Sequence, residues 1–221
     1  MTEVHVVRRD NSHRYREELD QYFRGRYDVF VRERGWKDLE RPDGRDIDQF
    51  DTEDAIHLLA IEGSEVIGGF RFNPSTGPTL LNQVFPELSL MPLVGLPDVY
   101  EITRLWVVQA KRGRCLRPAV DSLLMAGCLE LALALRLRKL RSMCETWRIS
   151  RNLNIGWTLR PLGLPRDING LNCIAIEKDV SEAIWIEVCQ HLSVPGPVLI
   201  WDATVRPPYR LPELVPAAAA A

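Results

Sequence analysis

The sequence has almost no excess of charge: 28 lysines and arginines stand against 30 aspartates and glutamates, leaving −2 at pH 7. So balanced a chain does not grip nucleic acid over its whole surface, which excludes nucleic acid as the main partner. Cysteine is sparse. The five, Cys115, Cys128, Cys144, Cys173 and Cys189, are odd in number and form no C-x-x-C pair, which argues against a disulfide framework and a zinc site. His5, His13, His57 and His191 are scattered, so no metal is expected. Long apolar runs are missing too: the most apolar stretch, residues 123–135, is short for a membrane span and contains Glu130. It reads as a buried core helix, and no membrane partner is expected. The first nine residues are polar and carry Arg8 and Arg9, unlike a signal peptide, so the expected location is the cytoplasm.

What is present is the composition of an ordinary globular protein, 46% apolar and 26% charged over 221 residues. With no internal repeat and no dividing linker, the expectation is one domain over residues 1–215 and a disordered, alanine-rich tail at 216–221.

Residues 13–35 carry a helical period in Tyr15, Leu19, Tyr22, Phe23, Val29 and Phe30, which places Arg26 on or beside the apolar face, where a guanidinium needs a partner. Residues 37–53 read as a long acidic loop. Strands are expected at 57–61, 65–72, 100–108, 140–146, 171–176 and 198–205, with Gly68 and Gly69 marking a bulge or close backbone approach. Helices are expected at 80–85, from Pro118 to about Arg138, at 150–155 and at 181–191. Strands alternating with a few long helices favour a layered α/β or α+β sheet.

The loop holds Asp43, Asp46, Asp48 and Asp51, while Arg26, Arg71 and Arg104 fall in or beside elements expected to be partly buried. Gathered in one cleft, these groups can hold a zwitterionic substrate; spread over the surface, each pair is worth less than about 1 kcal/mol. The D-I-D-Q-F-D segment, residues 46–51, lacks the glycine and the polar positions of a calcium loop. Glu101 and Arg104, three apart in an alternating strand, project to opposite faces unless a bulge brings both into one site. Isolated tryptophans are more often core than ligand contacts. The basic run Lys111, Arg112, Arg114 and Arg117 is either a solvated turn or, lying before a helix start, a phosphate site.

Together these residues resemble the acyl-homoserine-lactone synthases, the LuxI-type autoinducer synthases of bacterial quorum sensing. The resemblance rests, in order, on R-Y-D-V-F (26–30), E-R-G-W (33–36), D-I-D-Q-F-D-T (46–52), G-G-F-R (68–71), P-T-L-L-N-Q-V-F-P (78–86) and E-I-T-R (101–104). It covers residues 22–108 closely and the C-terminal half more loosely.

The resemblance implies a GNAT-like three-layer sandwich, a twisted mixed sheet between helices with a cleft where central strands splay. It also implies two substrates and no cofactor: S-adenosyl-L-methionine, and an acyl thioester on coenzyme A or acyl carrier protein. By the same resemblance Glu101 takes the amine proton and Arg104 joins it in catalysis as a candidate for the substrate carboxylate. Arg26, Phe30, Trp36, Asp48, Asp51 and Arg71 enclose S-adenosylmethionine. E-T-W at 145–147 and P-L-G-L-P-R-D-I-N-G at 161–170 look like the branch that uses coenzyme A thioesters of branched or aromatic acids. The implied acyl pocket is Thr103, Leu105, Trp106, Met143, Thr146 and Trp147, sized for an isovaleryl-like or an aromatic, cinnamoyl- or coumaroyl-like group. Lys111, Arg112, Arg114 and Arg117 would take the phosphates of coenzyme A, and would equally suit an acidic carrier protein. Two other readings stay open: an N-acyltransferase of the same fold acting on another amine, and a non-catalytic ligand sensor.

Overall fold

The computed structural model describes residues 1–112 and 118–202. Nine strands form one mixed sheet: β1 (Thr2–Val7), β2 (Ile56–Glu62), β3 (Glu65–Pro74), β4 (Val99–Val107), β5 (Lys139–Glu145), β6 (Leu159–Pro161), β7 (Arg166–Ile168), β8 (Leu171–Asp179) and β9 (Leu199–Ile200). Their order is β6-β8-β5-β4-β3-β2-β1-β9, with β7 also paired to β8. Around the sheet lie α1 (Arg16–Tyr27), α2 (Leu80–Gln83), α3 (Val120–Ala134), α4 (Trp147–Asn154) and α5 (Glu182–Leu192). Among the described residues no helix is long and apolar enough to cross a membrane.

β2 is buried on both faces, which is why I-H-L-L-A-I reads as a continuous apolar run. Leu58 and Ala60 face the larger core with α3 and α5, whereas Leu59 and Ile61 face a smaller core with Tyr22, Phe30 and Trp106. The expected close approach at Gly68 and Gly69 is present: a Cβ on Gly69 would lie 2.3 Å from the Leu58 carbonyl oxygen and 2.9 Å from the Tyr22 ring. Bulk there would push α1 off the sheet.

Several expected boundaries move. β1 was not anticipated: Val4 and Val6 enter the larger core and Val7 the smaller one, among polar neighbours. The third helix was expected to reach Arg138 but stops at Ala134, because Arg136 takes a left-handed conformation (φ 57°) and turns the chain into β5. α4 begins at Trp147 rather than Ser150, and the last strand is confined to Leu199–Ile200 among the described residues. β6 and β7 are additional. The tail at 216–221 lies outside the described residues.

Two features of the central strands make the cleft. β3 and β4 slip register between Gly69 opposite Trp106 and Arg71 opposite Thr103, so Arg104 and Leu105 together oppose one residue, Phe70. This is the bulge on which the placement of Arg104 depended, and Arg104 occupies it with φ 57°. Just before it, β4 leaves its parallel neighbour: β4 and β5 pair only from Val99 opposite Lys139 to Glu101 opposite Arg141, while β5 stays with β8 as far as Glu145 opposite Cys173. The sheet therefore opens between β4 and β5.

Glu130, the acidic residue inside the apolar α3, accepts hydrogen bonds from the Val198 (2.7 Å) and Leu199 (3.2 Å) backbone N–H groups and so ties β9 to the core. Burial pushes its carboxyl up to about 7 against those two donors. The folded state then keeps a proton that the unfolded chain has already lost, so this group's contribution to stability falls as pH rises from about 4.5 to about 7. Glu130→Gln should gain on wild type by about 3 kcal/mol over that interval, read from denaturant unfolding at several pH values; parallel pH profiles would contradict it.

Candidate active site

Three arginines from three elements converge on one loop. Arg26 of α1 donates from Nε to Asp46 (3.1 Å) and in a fork to Asp51 (2.7 and 3.1 Å). Arg71 of β3 forks onto Asp48 (2.5 and 3.2 Å), approaches Asp51 at 2.8 Å, and donates from Nε to Thr103 Oγ1 at 3.1 Å. Arg104 reaches Asp46 (2.7 Å) and Asp48 (2.9 Å). All six side chains are buried, so the surface-pair alternative does not describe them.

The electrostatics follow from this closeness. Burial alone would raise the Asp51 carboxyl, but the Arg26 and Arg71 guanidiniums hold it well below the usual carboxylate range; Asp46 is lowered in the same way by Arg26 and Arg104. Burial pushes His57 down to about 3, against the pull of Asp51, so it is neutral at pH 7 and adds no charge. Three cations and three anions cancel. Phe30 closes the group on one side, with Arg104 5.3 Å from its ring centroid and Trp36 packed on it at 5.3 Å. Gly35 (φ 73°) supplies the left-handed turn that brings Trp36 back from the π-helical segment Asp28–Glu33.

A cavity of about 610 Å³ touches this group at Arg104 and passes through the gap between β4 and β5, whereas Arg26, Arg71, Asp46, Asp48 and Asp51 lie outside its lining. Phe30, Trp36, Leu80, Thr103 and Arg104 line it on the α1 side; Met125, Cys128, Ser142, Cys144, Asn152 and Lys178 line it on the α3 and α4 side. Of the expected acyl-pocket residues, Thr103, Leu105, Trp106, Met143 and Trp147 line it. Thr146 does not: it is the N-cap of α4, and its backbone N–H donates to Asn172.

Glu101 lies outside the lining as well. It is 2% exposed, and its two oxygens accept from the Leu80 (2.9 Å) and Leu81 (3.0 Å) N–H groups at the start of α2. Burial raises its carboxyl, opposed by those donors, by Thr79 and by Arg71.

The basic run is divided. Arg112 lines the cavity and pairs with Glu33 at 2.7 Å, whereas Lys111 turns to Glu62 on β2; Arg114 and Arg117 lie outside the described residues. Other cations, missed in the sequence, stand at the mouth: Arg34 and Arg148 both hold Glu145 (2.8 and 3.0 Å), and Arg151 pairs with Asp121. The three- and four-residue spacing of Arg148, Arg151 and Asn152 on α4 is the signal that could have found the two arginines of that helix. Among the described residues no cluster of histidine, cysteine or carboxylate side chains is placed to hold a metal ion.

The autoinducer synthase family model matches residues 10–187. The chain belongs to this family. It is 37% identical over 180 residues to the isovaleryl-homoserine lactone synthase of Bradyrhizobium diazoefficiens, covering 80% of each. The structure of BjaI, a coenzyme A-dependent acyl-homoserine lactone synthase with SAM and isopentyl-CoA, superposes with TM-score 0.85 at 32% identity over 91% of this chain and 94% of that one. MesI, another coenzyme A-dependent synthase, superposes with TM-score 0.81 at 33% identity, covering 89% and 98%. The family's enzymes are acyltransferases, and the GNAT-like sheet expected from the sequence is the one observed.

In a buried network, removing one partner strands the other's charge. Asp51→Asn should destabilise the fold by about 3–5 kcal/mol, seen as a large fall in thermal midpoint. A loss below about 1 kcal/mol would mean that the network is hydrated in solution.

Proposed function

We propose that the chain transfers an acyl group from an acyl-coenzyme A to the amine of S-adenosyl-L-methionine and closes the product to an acyl-homoserine lactone, releasing 5′-methylthioadenosine and coenzyme A. The observation that carries this reading is the cavity through the β4–β5 gap, with an ion network at one end and a largely apolar pocket at the other. It gives two unlike substrates one meeting point.

In this reading Arg26, Arg71, Asp48 and Asp51 form the scaffold, while Phe30 and Trp36 bound the S-adenosylmethionine side. Arg104 is the carboxylate ligand: its Nε and Nη2 are engaged with Asp46 and Asp48, but Nη1 makes no hydrogen bond among the described residues and the residue lines the cavity. The amine loses a proton to Glu101 through a water, because Glu101 is set back from the wall. It attacks the thioester carbonyl, and backbone N–H groups freed at the Arg104–Leu105 bulge stabilise the tetrahedral oxyanion. The thiolate leaves with a proton. The methionyl carboxylate then attacks its own γ-carbon, the carbon–sulfonium bond breaks, and methylthioadenosine departs.

Arg112, Arg148 and Arg151 at the mouth favour the phosphates of coenzyme A, and they replace Lys111 in that role. The bulk of Trp106, Trp147, Met125 and Met143 around the cavity favours a compact acyl group. Such an enzyme works in the cytoplasm, where both substrates are made.

Incubation with S-adenosylmethionine and isovaleryl-, cinnamoyl-, butyryl- and octanoyl-coenzyme A should give lactone and methylthioadenosine in equal amounts from a compact thioester, followed by mass spectrometry. Arg104→Ala should lower kcat/KM by about a hundredfold or more. Free thiol without methylthioadenosine would point to transfer onto another amine, and activity only with carrier-protein thioesters would replace the donor.

A further inference from the structure

On the α3 side of the sheet the cavity wall contains a lysine that the reaction does not use. Lys178 of β8 is 5% exposed and lines the cavity, with Leu140 opposite it on β5. Its Nζ stands 4.3 Å from the centroid of the Trp157 ring. Among the described residues no carboxylate lies within salt-bridge distance of it and no group hydrogen-bonds to it, whereas the other buried cations, Arg26, Arg71, Arg104 and Arg141, are paired. The titratable groups around it are the Cys128 and Cys144 thiols and the Arg148 guanidinium, and burial pulls its pKa down. One ring face recovers only part of what an ammonium loses on leaving water, and it leaves N–H donors unused.

Lys178 is not isolated. Ser142, two residues along β5 from Leu140 and so on the same face, has a buried Oγ with no partner. Asn152 of α4 spends its amide N–H on the Arg148 carbonyl (2.7 Å) and leaves Oδ1 buried and unpaired. Both line the cavity. Three polar groups without partners thus face an otherwise apolar pocket made by Met125, Cys128 and Ile155. A purely hydrocarbon acyl group would cover all three and satisfy none, which is the costly arrangement.

We infer that the acyl group this chain takes carries an oxygen at the end remote from the thioester, as a hydroxyl, phenol or carboxylate, and that Lys178 is the specificity-determining residue that receives it, with Ser142 and Asn152 beside it. The inference rests on the proposed acyl-thioester reaction and narrows its substrate class. A phenolic acid meets the geometry well, since its ring covers the apolar wall while its oxygen meets the ammonium.

Two pairs of thioesters matched in shape test it: cinnamoyl- against 4-hydroxycinnamoyl-coenzyme A, and isovaleryl- against 3-hydroxy-3-methylbutyryl-coenzyme A, with lactone and methylthioadenosine followed for wild type and Lys178→Met. Wild type should favour the oxygenated member of one pair by more than about tenfold in kcat/KM, and Lys178→Met should bring that ratio to one or below by gaining on the hydrocarbon member. Lys178→Gln keeps a donor, should retain part of the preference, and serves if circular dichroism shows the methionine variant unfolded. Methylthioadenosine released with no oxygen preference in either pair, or with a preference that both variants leave unchanged, overturns the inference while the synthase reading stands. If no coenzyme A thioester releases methylthioadenosine, it is the donor assignment that falls, and the same acyl pairs loaded on acyl carrier protein then read the role of Lys178.

Discussion

Arg104 is held with a positive φ in the middle of a central strand, a conformation that costs an ordinary residue on the order of 1–3 kcal/mol, and the rest of the site follows from it. The extra residue of the bulge turns the Arg104 side chain to the face already occupied by Thr103 and Arg71, where two carboxylates meet it. β4 has already left β5 after Glu101, just before the bulge. The ion network is thus completed by the bulge beside the place where the sheet opens. The ion pairs of Arg104 with Asp46 and Asp48 offset the strain, and the strained backbone in turn fixes where those carboxylates must lie.

The loop 40–55 has little regular structure of its own, and its order comes from outside. Asp46, Asp48 and Asp51 are pulled inward by arginines of α1, β3 and β4, while Asn73 holds the Phe50 carbonyl at 2.7 Å and Phe50 is buried beneath. A hydrophobic loop could have been packed there at less desolvation cost. What the charges add is direction: each guanidinium donates to its carboxylate at one angle, so loop and sheet meet in one register.

Much of this was legible in the sequence, and the reasons differ by element. Strands buried on both faces, such as β2, announced themselves by apolar runs, and Ser181 marked the start of α5 by capping it. The arginine–aspartate network was visible as residue types, but spacing alone could not decide between a cleft and the surface, because the convergence depends on the β3–β4 register. β1 was hidden because Val4, Val6 and Val7 stand among polar residues at an outer part of the sheet. α3 was drawn too long because Leu135 and Leu137 continue its apolar pattern, and nothing in an arginine signals the left-handed turn at Arg136. Thr146 was placed in the pocket as a neighbour of Trp147, before the start of α4 moved it to a cap. Lys178 fell beyond the expected strand 171–176, and only the extension of β8 to Asp179 and the splay of β4 from β5, a tertiary event, make it a cavity wall.

The two ends of the cavity solve the problem of buried charge in opposite ways. At the end with the ion network every anion is matched by a cation, so the network is neutral as built and a zwitterion would add to it without leaving a net charge behind. In the proposed reaction its selectivity would come from shape and from the unengaged Nη1 of Arg104. On the α3 side, Lys178, Ser142 and Asn152 are left incomplete, and an incomplete polar wall discriminates by the penalty it imposes on the wrong occupant rather than by attraction to the right one. In the proposed reaction the paired end is therefore the scaffold that would hold the geometry constant, and the unpaired end is where a change of one side chain would alter which acyl group is taken without disturbing that geometry.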